Sequence, residues 1–137
     1  MPNRNVSELA AITAAKNLCK YVFLVTNKSP KIFRFSLVSR MQNFSLNIIE
    51  KLYRANEVFI KINPSVALQA RLNFQHTALT DIKLLSYMAF LAKEQGCILP
   101  KQYEHIAKLS FDCQNLLGAW IKHTNYSLQS GLGRTYD

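Results

Sequence analysis

The chain predicts an all-α protein, an antiparallel up-down-up-down four-helix bundle. Three observations carry that prediction. Only four prolines and four glycines occur in 137 residues. Pro30, Pro64 and the Gly96…Pro100 pair divide the chain into four segments of about 20–30 residues each. Every segment repeats apolar residues at steps of three and four, the helical period, while strand-type alternation is nearly absent. Short connections between long neighbouring helices force antiparallel packing.

The first segment aligns Leu9, Leu18, Val22 and Val25 on one face, with Ser7 as a candidate N-cap. The second steps through Leu37, Met41, Phe44, Ile48, Leu52 and Ala55, with Ser36 as its candidate cap. Asn63-Pro64 opens the third, an N-cap residue followed by proline at the first helical position. Its inward stripe continues through Leu68, Leu72, Leu79, Ile82 and Ala89. The fourth opens at Pro100 and runs Ile106, Leu109, Cys113, Leu116, Trp120, the three-four seam of a left-handed bundle. Residues 1–125 are read as the bundle. Residues 126–137, with Gly131 and Gly133, are read as a flexible C-terminal tail.

Residues 82–92, IKLLSYMAFLA, have only Lys83 and Ser86 as clearly polar positions. A helix apolar around most of its circumference needs cover on several sides. Tyr87, Phe90 and Leu91 are therefore expected in core or oligomer packing, and self-association is expected of the chain.

Eight acidic residues stand against 17 lysines and arginines, giving a formal net charge of +9. Such a balance favours an acidic partner: nucleic acid, an acidic protein or an anionic surface. The opening MPNRNVSELA lacks an apolar run of signal-peptide length, and no later stretch suits a membrane span. The expectation is a cytoplasmic protein without membrane contact. Cys19, Cys97 and Cys113 are odd in number and form no CxxC pair, so free thiols are expected.

Enzyme chemistry finds little purchase. Di-iron bundles need Glu-x-x-His pairs, but Glu50, Glu57 and Glu104 are followed three residues later by Tyr53, Ile60 and Ala107. His76, His105 and His123 do not share a turn, and neither GxGxxG nor GxxxxGK[ST] occurs. Cys113 lies in the inward stripe, which suits a small core residue better than a nucleophile. No catalytic residue, metal or cofactor is expected.

The basic residues remain. Between Leu9 and Ile49 stand Lys16, Lys20, Lys28, Lys31, Arg34 and Arg40, with no Asp or Glu. Lys16 and Lys20 are one turn apart on one helix face, while Lys28, Lys31 and Arg34 flank the turn at Pro30. These six are the candidate nucleic-acid-binding residues, a stripe suited to phosphates rather than base edges. The alternative is a solvated face that keeps the protein soluble. Glu50, Lys51, Arg54 and Glu57, whose signs alternate, fit that alternative better. Tyr21, Phe23, Phe33 and Phe35 lie near the bases and suit either base stacking or packing.

Two stretches carry a family resemblance: SPKIFRFSLVSRMQNFSLNIIEKLYRA at 29–55 and QYEHIAKLSFDCQNLLGAWIKHT at 102–124. The Pro-Lys turn, the aromatic-Ser-Leu start of a long helix, and the Leu117-Gly118-x-Trp120-Ile121-Lys122 ending resemble the accessory variability determinant of diversity-generating retroelements. That group falls within the wider four-helix-bundle superfamily of ribosomal RNA intervening-sequence proteins. The resemblance implies a pentameric, positively charged homo-oligomer that binds RNA or DNA and the element's reverse transcriptase. It would support mutagenic copying of template RNA into cDNA without catalysing it. It also implies that Gly118 and Ala119 allow close helix approach while Trp120 anchors packing. Relatives often carry arginines late in the third helix, where this chain has only Lys83, so the basic surface is expected on the first helix and turn. The competing reading is a self-associating bundle that recognises an acidic protein and has no nucleic-acid role.

Overall fold

The computed structural model describes the backbone of residues 2–136 and the side chains of residues 10–131. Four helices account for most of it: α1 (Pro2–Thr26), α2 (Ser39–Asn56), α3 (Pro64–Glu94) and α4 (Pro100–Tyr136). Each packs on its neighbours in sequence and α1 also meets α4, which closes an all-α, up-down four-helix bundle. A 3-10 turn (Lys31–Phe33) and a π-helical turn (Arg34–Val38) join α1 to α2.

The predicted seams meet in one core. Leu18, Val22, Met41, Ile48, Leu52, Ile82, Ile106, Leu117 and Trp120 are essentially inaccessible to solvent. Leu37, Phe44, Leu79, Leu109 and Leu116 are half-buried and pack against that cluster. Cys19, Cys97 and Cys113 are free thiols inside it.

Local chemistry sets the helix ends. Asn63 Oδ1 accepts the Val66 N–H at 3.3 Å and Pro64 occupies the first helical position, as the sequence predicts. At the start of α4, Gln102 Oε1 accepts the Leu99 N–H at 2.8 Å, the reciprocal half of a capping box. Helix α3 stops at Gly96, whose φ of +79° lies in the left-handed region. There Cys97 N–H reaches Ala92 O at 2.8 Å and Gly96 N–H reaches Lys93 O at 3.2 Å, a Schellman closure. Buried Cys97 and Ala92 supply its apolar contact.

Three expectations change. Helix α1 begins at Pro2, upstream of Ser7, whose side chain lies outside the described residues. Ser36 does not cap α2: it sits in the π-helical turn and donates its hydroxyl to Phe33 O, while α2 starts without a side-chain cap. The anticipated tail after residue 125 is helical, because α4 continues to Tyr136. Glycine weakens a helix by about 1 kcal/mol but does not break it, and tertiary packing outweighs that propensity. Leu128 supplies such packing against the core.

Residues 82–92 resolve into two faces. Ile82, Leu85, Ala89 and Ala92 are buried, whereas Leu84, Tyr87 and Phe90 face outward with exposures of 45%, 61% and 40%. Leu91 is half-buried. The single chain therefore leaves an apolar ridge on α3 uncovered. Among the described residues, no helix is long and apolar enough to cross a membrane.

Candidate nucleic-acid interface

The predicted basic residues divide into two groups. Lys16 and Lys20 are both exposed on α1. Lys16 Nζ lies 5.1 Å from the centre of the Tyr53 ring on α2, which places it beside the α1–α2 junction. At about 1.5 Å per residue, Lys20 is about 9 Å and Lys16 about 15 Å along the helix from Thr26 at the end of α1. Lys28, Lys31 and Arg34 are exposed in the connection, and exposed Arg40 stands 5.5 Å from the Phe44 ring one turn further along α2. None of the six forms an ion pair among the described residues.

Lys31 and Arg34 share a cleft of about 370 Å³ with Thr26, Asn27, Phe35 and Gln42. The local fold explains the opening. Thr26 turns its hydroxyl back along α1 and donates it to Val22 O at 2.6 Å, which satisfies the buried hydroxyl. Pro30 has no N–H with which to continue that helix. The chain then widens into the π-helical turn, a geometry frequent at functional sites. Gln42 reaches back from α2 and donates its amide to Thr26 Oγ1 at 3.0 Å and Asn27 Oδ1 at 3.4 Å. The polar members Thr26, Asn27 and Gln42 escaped sequence reasoning, since only the fold of the turn brings them beside Lys31 and Arg34.

Of the nearby aromatics, Phe33 packs on the core and Tyr21 meets the His105 ring edge-on at 4.4 Å between centroids. Phe35 is 90% exposed and Ile32 is 83% exposed.

Three further cations are engaged by partners. Lys51 forms an ion pair with largely buried Asp81 of α3, so it is not part of a freely solvated face. Arg54 pairs with Glu50 at 2.9 Å, the exposed (i, i+4) arrangement expected there. Lys93, which sequence reasoning overlooked, lies 4.7 Å from the Phe90 ring and 5.0 Å from the Tyr103 ring, with Glu94 at 3.4 Å. Phe90 and Tyr103 themselves pack edge-on, tying α3 to α4. Phe90 is thus an intrachain contact as well as part of the outer ridge.

Trp120 is fully buried, in keeping with an anchor. Arg71, only 5% exposed, places its guanidinium 5.9 Å from the Trp120 ring and donates Nε to Ala55 O at 2.9 Å. Gly118 shows no close helix approach within the chain: it is exposed, and an added Cβ would meet nothing within 4 Å. Gly118→Ala is therefore expected to raise the free energy of unfolding by about 0.5–1 kcal/mol in urea titration. Loss of assembly in that variant, with folding intact, would place Gly118 between subunits.

Among the described residues, no group of three His, Cys, Asp or Glu is placed to hold a metal ion. Burial pushes the Cys113 thiol up to about 12, which keeps it protonated in the core. A groove between α1 and α4 has Asp112 as the only charged residue in its lining, so it does not suit a polyanion.

No protein-family model matches this chain, and no curated protein matches it significantly.

Proposed function

We propose that the chain is a non-catalytic accessory protein of a diversity-generating retroelement. In this role it binds template RNA and its cDNA, and it associates with the element's reverse transcriptase to support mutagenic copying. The observation that carries the nucleic-acid part is the set of six exposed basic residues, none ion-paired among the described residues, along α1, its turn and the start of α2. Cations without local partners gain most from phosphates, because binding releases condensed counterions. The retroelement assignment rests on the resemblance of 29–55 and 102–124 to accessory variability determinants. The uncovered ridge of Leu84 and Tyr87 supports self-association, with a pentamer as the state that resemblance suggests.

The test is RNA affinity as a function of salt. For single strands, log K falls by about 0.7 per phosphate neutralised for each tenfold rise in salt. With all six bases engaged, affinity drops about 300-fold between about 50 and 200 mM salt. A flat response, or no RNA binding at low salt, overturns the nucleic-acid reading. Capture of the reverse transcriptase by an RNA-free, non-RNA-binding chain would favour the acidic-protein alternative.

A further inference from the structure

Phe35 and Ile32 are the two largely exposed apolar residues of the basic turn, and of the two Phe35 lines the cleft. Two positions away, Phe33 packs on the core, yet Phe35 is left 90% exposed at the cleft between Lys31, Arg34 and Gln42. Exposed phenylalanine forgoes the ~1.5–3 kcal/mol that burial would contribute, so the fold itself does not account for its placement. Its neighbours have a consistent chemistry. Lys31 and Arg34 supply two cations, and Gln42 is oriented by its hydrogen bonds to Thr26 and Asn27. That orientation leaves Gln42 Oε1 as an acceptor and Asn27 Nδ2 as a donor with no hydrogen bond among the described residues. The volume of about 370 Å³ lies at the small end of the range for ligand sites, room for one nucleotide rather than a stacked run.

A duplex presents phosphates to such a surface but keeps its base faces stacked. A single strand can turn one base out onto an aromatic ring and its edge onto amide groups. We infer that the cleft takes one unpaired nucleotide of a single-stranded RNA, its base against Phe35 and its phosphates on Lys31 and Arg34. The inference rests on the nucleic-acid reading above and gives that surface a strand preference: the turn selects unpaired RNA, while Lys16 and Lys20 on α1 hold phosphates of either form.

The experiment compares fluorescence anisotropy of a labelled oligouridylate with that of an RNA duplex of equal length, using the full chain at low salt. Phe35→Ala weakens oligouridylate binding about tenfold and leaves duplex binding unchanged. Phe35→Tyr retains the wild-type preference, since the ring face is kept. Because Phe35 is exposed, helical content by circular dichroism stays that of wild type. Equal losses on both RNAs, or no loss on either, overturn the inference while leaving nucleic-acid binding standing. Absence of binding to both RNAs in the wild type overturns the inference together with the nucleic-acid reading. A further arm uses vesicles of phosphatidylcholine and phosphatidylserine. Vesicle binding that depends on Phe35, with oligouridylate binding insensitive to it, assigns the exposed ring to a membrane surface and overturns the inference.

Discussion

Reversing Lys16, Lys20, Lys31 and Arg34 to Glu is expected to abolish RNA retention at physiological salt and to leave the size of any oligomer unchanged. Each reversal removes two units of charge, so the four together bring the formal net charge from +9 to +1. The loss has two sources. Four phosphate contacts disappear, and four carboxylates then repel the same backbone across a screening length of about 8 Å. All four residues are exposed, and no ion pair among the described residues is broken by the change. The bundle therefore keeps its core and its α3 ridge.

A charge-matched control separates a local surface from mere basicity. Lys61, Lys83, Lys101 and Lys108 are also exposed and unpaired among the described residues, but lie on the α2–α3 connection, α3 and α4. Their reversal to Glu gives the same net charge and is expected to retain RNA, with a modest loss of association rate. Electrophoretic mobility shift and size-exclusion chromatography read the two properties separately. Equal loss in both variants would mean that the whole molecule's charge, not the α1 stripe, attracts the polyanion. Retention in the first variant would show the site to be misplaced.

Much of the architecture was legible because it depends on local rules. The Met41–Ile48–Leu52–Ala55 stripe, the Asn63-Pro64 start and the Gly96 stop each involve residues within a few turns of one another, and each stands as predicted. Contacts between distant positions were not legible. Lys51 meets Asp81 and Lys93 meets Tyr103 only after the helices have packed, so neither pairing shows as a spacing. The cleft depends on a π-helical turn that carries no breaker of its own, which is why Ser36 looked like a cap. Glycines 131 and 133 marked an apparent tail, but Leu128 holds onto the core within a helix that continues. The candidate binding residues were found from charge. Their hydrogen-bonding companions Thr26, Asn27 and Gln42 required the fold.

Trp120→Ala is expected to be the most destabilising single substitution discussed, about 3–5 kcal/mol against a typical domain stability of 5–15 kcal/mol. Trp120 heads the fully buried side chains by size, and its indole sits in the core beside the Arg71 guanidinium at 5.9 Å. Truncation leaves a cavity in interlocked layers and removes the ring face from a cation that is itself almost entirely buried. Arg71 keeps its bond to Ala55 O, so α2 retains that carbonyl partner and the damage remains one of packing. Trp120→Phe tests the partition. The indole Nε1 is buried with no hydrogen-bond partner among the described residues, so replacing it sacrifices none of their bonds and relieves an unsatisfied donor. Phenylalanine also keeps a weaker cation–π face. The Phe variant should therefore lose less than half of what the Ala variant loses, measured as a shift in the urea midpoint at constant m-value. Comparable losses in both would mean that the indole nitrogen is held by a group or water that stabilises the fold. A large change in m would instead point to an altered denatured or native ensemble.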